Sequence, residues 1–288
     1  MFQDNTDSIY LYRYRNASKF TLKEIENSEI FLAPKKMLND HSEYVWDLLD
    51  EDLEILGIKE KREIIISFLK YLNIRHISEQ GIPEPDMPHR IQSVRTAIDS
   101  QIKITFREVV NQLRETHDLF KFNSNRVLVS CFSKSGLNPT MLSHYADSGR
   151  GIVVAYQKQK IRDSIKESDI FLHDVEYSDR VFKLRVKEIP QYFTGHKAKT
   201  IEQELLCRKY IDWSYEEEVR LFCVSRKLDS RVFKFQRGTI SGICLGPNTE
   251  KNFSDKVIKL CRNNAIPVYS ASRKYGLYTY RSDALQSY

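Results

Sequence analysis

The chain has 288 residues, enough to bury a sizeable core as one large domain or two modest ones. A hydrophobic fraction of 41% and a charged fraction of 29% are those of an ordinary globular protein and argue against a disordered or fibrous class. No apolar run approaches membrane-spanning length. The formal net charge of +6, from 45 Lys plus Arg against 39 Asp plus Glu, is scattered and permits nucleic-acid binding without requiring it.

Strict alternation from Ile9 to Arg15 predicts a first strand, with Tyr10, Tyr12 and Tyr14 on one face and Leu11, Arg13 and Arg15 on the other. Thr21 to Ser28 reads as a short helix capped by Thr21, and Glu29 to Ala33 as a second strand stopped by Pro34. From residue 41 to 120 the texture is helical. Lys59–Gln80 and His89–Phe120 carry apolar stripes, and the proline-rich segment Gly81–Pro88 separates them. Past Asn125 the pattern turns to strands at Arg126–Phe132, Gly151–Tyr156, Ile170–Tyr177, Glu217–Ser225, Arg231–Phe235, Thr239–Leu245 and Ile266–Ser270. Helices are expected at Pro139–Asp147, Thr200–Ile211 and Glu250–Asn264. The expected fold is α+β: a mixed, mainly antiparallel sheet built from both ends of the chain. It forms a single domain over 1–288 with a helical insert over 41–120.

The five cysteines, Cys131, Cys207, Cys223, Cys244 and Cys261, are odd in number and too dispersed for a metal knuckle. Cys131, Cys223 and Cys244 fall inside apolar runs and read as buried small hydrophobes. With an N-terminus that lacks a basic start and an apolar core, the natural expectation is a reducing cytoplasm. The seven histidines are also dispersed, so no metal is expected.

Two segments carry chemistry beyond packing. Trp213-Ser-Tyr-Glu-Glu-Glu-Val-Arg-Leu-Phe222 leads three carboxylates into an apolar strand. Alternation there puts Glu216, Glu218 and Arg220 on one face, either as a solvated acidic edge or as a carboxylate for a substrate hydroxyl or a developing cation. Met141-Leu-Ser-His-Tyr-Ala-Asp-Ser-Gly-Arg-Gly151 puts Met141, His144 and Tyr145 on one helical face. That face is either a satisfied core patch or a platform for a flat heteroaromatic ligand. Ser148-Gly-Arg-Gly151 offers backbone N–H groups and the Arg150 guanidinium to an anion. Arg13 and Arg15 either cover the sheet with their stems or form a fork for phosphate.

The order Leu11-Tyr-Arg-Tyr-Arg15, Leu38-Asn-Asp40, Cys131-Phe-Ser133, His144-Tyr-Ala-Asp-Ser148 with Gly151, then Trp213-Ser-Tyr-Glu-Glu-Glu-Val-Arg220 resembles the bacterial family catalogued as domain of unknown function 2971. That name assigns no chemistry; the resemblance implies a bacterial protein, with a defence or toxin role as one setting. A looser similarity is to ADP-ribosyltransferases, in which an early Arg or His, a middle aromatic or Ser element and a late Glu occur in sequence. Arg15, His144-Tyr145 and Glu218 follow that order. This similarity implies NAD as the substrate and cleavage of its nicotinamide–ribose bond. Glu218 would meet the ribose 2′-hydroxyl and Glu216 would orient the acceptor, a protein or nucleic acid. His144 would hydrogen-bond to ribose, Tyr145 would stack on nicotinamide, and Arg13, Arg15 and Arg150 would hold the phosphates. The rival expectation is a nucleic-acid-binding or nuclease-like module, or a partner-binding protein without catalysis.

Overall fold

The computed structural model describes residue 2 and residues 9–34, 37–40, 46–49, 53, 55–80, 102–115, 127–190, 204–224, 231–273 and 280–286. The chain opens with β1 (Tyr10–Arg15), α1 (Lys19–Asn27), β2 (Glu29–Phe31), β3 (Ala33–Pro34), β4 (Trp46–Leu49), α2 (Ile58–Gln80) and α3 (Ile102–Glu115). Then come β5 (Val127–Ser133), α4 (Pro139–Tyr145), β6 (Ile152–Gln157), α5 (Lys158–Ile165), β7 (Ile170–Asp174), β8 (Glu176–Ser178), β9 (Phe182–Arg185) and β10 (Arg208–Tyr210). The last stretch holds β11 (Glu218–Val224), β12 (Val232–Lys234), β13 (Ile240–Leu245), α6 (Lys251–Asn263), β14 (Val268–Arg273) and β15 (Tyr280–Gln286). The class is α+β, as the sequence predicts.

The elements fall into two compact units, one of Met1–His41, Asn123–Tyr177 and Lys209–Tyr288, the other of Ser42–Phe122 and Ser178–Arg208. The first unit is built on one sheet with strand order β15-β14-β13-β6-β1-β5-β11-β7, and β3 also pairs with β5. The β13–β14 pair is parallel. The ladders of β1, β5, β6, β7 and β11 are antiparallel. Alternation along each strand sends side chains to two faces. On one face Leu11, Ile152, Val154, Tyr156, Val219, Leu221, Ile243 and Leu245 pack with Ile25 of α1, Ile161 of α5 and Val257 and Cys261 of α6. On the other, Tyr12, Tyr14, Val153, Ala155 and Cys244 pack with Met141 and Leu142 of α4.

Local details depart from the sequence reading. The cap of α1 is Ser18, whose hydroxyl accepts from the Thr21 N–H, so the helix starts earlier than Thr21. The strand expected over 29–33 is two pieces with Pro34 inside the second; β2 pairs with β12 and β3 with β5. Leu32 marks the break, its N–H turned to the Arg231 carbonyl. Ile170–Tyr177 is likewise interrupted at buried Val175, which donates to the Glu218 carbonyl. Strand β15 and helix α5 were not expected. The predicted helix over 200–211 gives way to strand β10 at Arg208, followed by a 3-10 turn over Ile211–Glu216.

In the second unit, α2 matches the predicted Lys59–Gln80 helix, and α3 covers the described part of His89–Phe120. Residues Ile64, Ile65 and Phe68 of α2 are buried, as are Phe106, Val109, Val110 and Leu113 of α3. Spacings of three and four residues produce this, since they return each side chain to the same helical face. Residues 178–208 join this unit, and β9 pairs in parallel with β4, Trp46 opposite Phe182. The expected break at Gly81–Pro88 lies outside the described residues.

Candidate functional site

Three sequence features assemble a charged centre on the Tyr12 face of the sheet. Asn138 caps α4, its side-chain oxygen accepting from the Thr140 and Met141 N–H groups. Its amide nitrogen donates to the Tyr215 carbonyl at 3.1 Å, tying α4 to the 3-10 turn. Tyr14 steadies the same corner: its hydroxyl donates to the Ser135 carbonyl at 2.9 Å and accepts from the Asn138 N–H at 2.8 Å. The turn ends at Glu217, which takes a left-handed conformation (φ 43°). Glu216 is therefore the last residue of the turn, while Glu218 is the first of β11. The two carboxylates meet through this chain reversal and not, as strand alternation suggested, as neighbours along one pleated face.

Lys209 joins them. Its ammonium donates to Glu216 Oε2 at 2.6 Å and to Glu218 Oε2 at 3.1 Å, and lies 4.8 Å from the centre of the Trp213 ring. Glu218 also receives Arg220 Nε at 2.8 Å and Nη2 at 3.3 Å, together with a hydrogen bond from Cys131. Two cations and two carboxylates thus cancel, and the near-complete burial of all four depends on that balance. Tyr145, half-buried, donates to Glu216 Oε1 at 2.6 Å. The Glu218 N–H donates to the Tyr177 hydroxyl at 2.7 Å. Exposed His144 shares a 3.1 Å hydrogen bond between Nδ1 and the Tyr215 hydroxyl, with the two rings 6.0 Å apart. Trp213 continues this aromatic wall, its ring 6.1 Å from Tyr215.

The two acids differ electrostatically. For Glu218 burial opposes ionisation, but Arg220 and then Lys209 overcome it and hold the carboxyl well below the usual carboxylate range. For Glu216 burial dominates and raises the proton affinity; Lys209 works against the rise and Glu218 adds to it. Tyr145 is pushed up by burial and then by its bond to Glu216, so it stays a phenol and a donor. Glu218 therefore contributes stability that is fully present above the unfolded carboxyl pKa of about 4.3 and is lost as pH falls from there toward the folded pKa. Glu216 acts in the opposite sense: its ionisation costs stability at neutral pH, and that cost disappears as pH falls through its raised folded pKa. Urea unfolding followed downward from neutral pH should show flat or slightly rising stability, then a steep loss below about pH 4. Glu216→Gln should remove the rise and keep the loss.

The other predicted site residues lie elsewhere. Arg13 and Arg15 are on the opposite face of the sheet, paired to Glu24 of α1 at 3.1 and 2.9 Å. They do not share a site with Glu216, Glu218, His144 and Tyr145, because β1 turns its tyrosines, not its arginines, toward that face. Arg150 is exposed and lies 3.4 Å from Asp147. The backbone N–H groups expected to hold an anion are engaged. Ser148 donates to the Ser143 carbonyl, Gly149 to Leu142, Arg150 to Asp147 and Gly151 to Ala146. Lys209 was missed, because it sits in a stretch that reads as helix. The signal available was chemical: three adjacent acids, two of them buried, need cations close by.

Residues 141–221 match a family model described as protein of unknown function (DUF2971). The matched span supports the resemblance read from the sequence and contains His144, Tyr145, Lys209, Glu216, Glu218 and Arg220. No curated protein and no solved structure matches the chain, ADP-ribosyltransferases included. Among the described residues no helix is long and apolar enough to cross a membrane, and no group of three His, Cys, Asp or Glu could hold a metal ion.

Proposed function

We propose that this protein is an NAD-directed enzyme that cleaves the nicotinamide–ribose bond, as a transferase to a protein or nucleic-acid acceptor or as a glycohydrolase, with Glu216 as its reactive carboxylate. The observation that carries this reading is a buried acid of raised proton affinity. It is held by an ammonium and a phenol beside exposed His144 and half-buried Tyr215 and Trp213. Bond cleavage sends the electron pair to the departing nicotinamide and leaves an oxocarbenium-like ribose. A carboxylate poised at the 2′-hydroxyl lowers that barrier by stabilising the developing positive charge. Glu216 suits this role better than Glu218: it is held by one cation and a phenol, whereas Glu218 is locked between Arg220 and Lys209. Glu218 then serves as the anchor that fixes Lys209, and Lys209 in turn orients Glu216. The His144–Tyr215 wall offers a face for the nicotinamide ring. Arg13 and Arg15 lie on the far face of the sheet and take no part in this reading.

Purified protein incubated with NAD should release nicotinamide, and Glu216→Gln should slow the release about a hundredfold. No release by the wild-type protein, alone or with protein and RNA acceptors, removes the reading. Oligonucleotide binding that weakens steeply with salt, without any NAD turnover, would favour the nucleic-acid module instead.

A further inference from the structure

The opposite face of the sheet holds a second cluster that the Glu216 centre does not use. Arg13 and Arg15 project from β1 toward α1, where Glu24 faces them. The side chains of Arg13 and Glu24 are only 8% and 4% exposed, while that of Arg15 keeps 26% of its surface in solvent. Tyr156 of β6 donates to Glu24 Oε1 at 2.6 Å. Among the described residues Glu24 is the one acid that pairs with either arginine. Among these described residues two guanidinium charges therefore share one carboxylate, which leaves one positive charge unmatched.

The hydrogen-bond count points the same way. Each guanidinium carries several N–H donors in a rigid fork. Arg13 Nη1 and Arg15 Nε are both buried, and although each lies within ion-pair reach of Glu24, neither makes a properly directed hydrogen bond. One face of the Arg13 guanidinium lies over the buried Phe132 ring at 5.6 Å, a cation–π contact that supplies no acceptor oxygen. Burial and then the neighbouring Arg13 lower the Arg15 pKa, and Glu24 works against the fall. Two cations that share one buried acid are costly to hold, and an oxyanion entering from the side where Arg15 meets solvent would relieve that cost.

We propose that Arg13 and Arg15 form a second binding site, on the sheet face opposite Glu216, for a phosphate oxyanion, either free phosphate or the end of a phosphomonoester. The charge left over matches a singly charged anion or one charge of a dianion. Two guanidinium forks suit a tetrahedral group with several oxygens better than a second planar carboxylate. The site stands independently of the NAD reading, because no residue is shared.

The test is titration of the intact chain with inorganic phosphate at constant ionic strength, chloride serving as the balancing salt. Calorimetry and melting temperature are both read. Phosphate should bind one to one and raise the melting temperature where chloride does not. Arg15→Gln should weaken binding about tenfold or more, and Glu216→Gln should bind as the wild type does. Arg15→Lys, which keeps the charge and loses the fork, should fall between, and it is read in place of the glutamine variant if that one fails to fold. Ribose 5-phosphate binding more tightly than phosphate identifies a phosphomonoester; equal binding identifies the free ion. The proposal is overturned if phosphate stabilises no more than chloride, if Arg15→Gln binds as the wild type does, or if acetate binds as tightly as phosphate.

Discussion

Arg220→Met should lower the free energy of unfolding by about 3–5 kcal/mol, the cost of leaving a buried charge without its partner. The substitution keeps much of the side-chain volume but removes both nitrogens that hold Glu218. Arg220 is 0% exposed, so water cannot take over the released carboxylate. Lys209 alone would then face two acids, and Glu218 would titrate upward from its depressed value. Urea unfolding gives the measurement. The double variant Glu218→Gln with Arg220→Met should recover a large part of the loss, because it removes the orphaned charge together with its cause. A single variant as stable as the wild type would show that the four-charge centre does not hold this corner of the fold.

Gly151→Ala is expected to be nearly as damaging, at about 3 kcal/mol or more. A Cβ at this position would lie 2.0 Å from the Arg15 carbonyl oxygen and 3.0 Å from the Asn16 Cα. Those are backbone atoms at the end of the β1–β6 ladder, where Arg15 opposes Ile152, so the clash cannot be relieved by a side-chain rotation. The strands would have to part, and Arg15, Glu24 and the start of α1 would move with them. Thermal unfolding monitored by circular dichroism would register the change; a melting temperature unaltered by the substitution would show that the ladder end yields freely.

The sequence was most legible where one strand's alternation decides the outcome. In β1, Leu11 faces a core while Tyr12 and Tyr14 face the other side, as the pattern demands. In β11, Glu218 and Arg220 share a face, and they are joined at 2.8 Å. The helix over Lys59–Gln80 follows equally from its apolar spacing. Legibility failed where a residue's state depends on something distant. Lys209 lies in a segment that local propensity marks as helix, yet it is drawn into a strand and buried between two acids. Glu216 reads as part of a strand, but the left-handed Glu217 turns it back out of the ladder.

The amino-acid order by itself determined which side chains share a face within each element, because the periods of strand and helix are local properties of the backbone. It also determined the concentration of acid at 216–218 and of aromatic residues beside it. Only the tertiary structure decided which faces of different strands coincide. Tyr12 and Glu218 both stand opposite Ser133 in their ladders with β5, so the tyrosine face of β1 is the acid face of β11, and Arg13 and Arg15 point the other way. Register between strands far apart in sequence is set by packing both faces of the sheet at once, and no single strand's pattern contains that information.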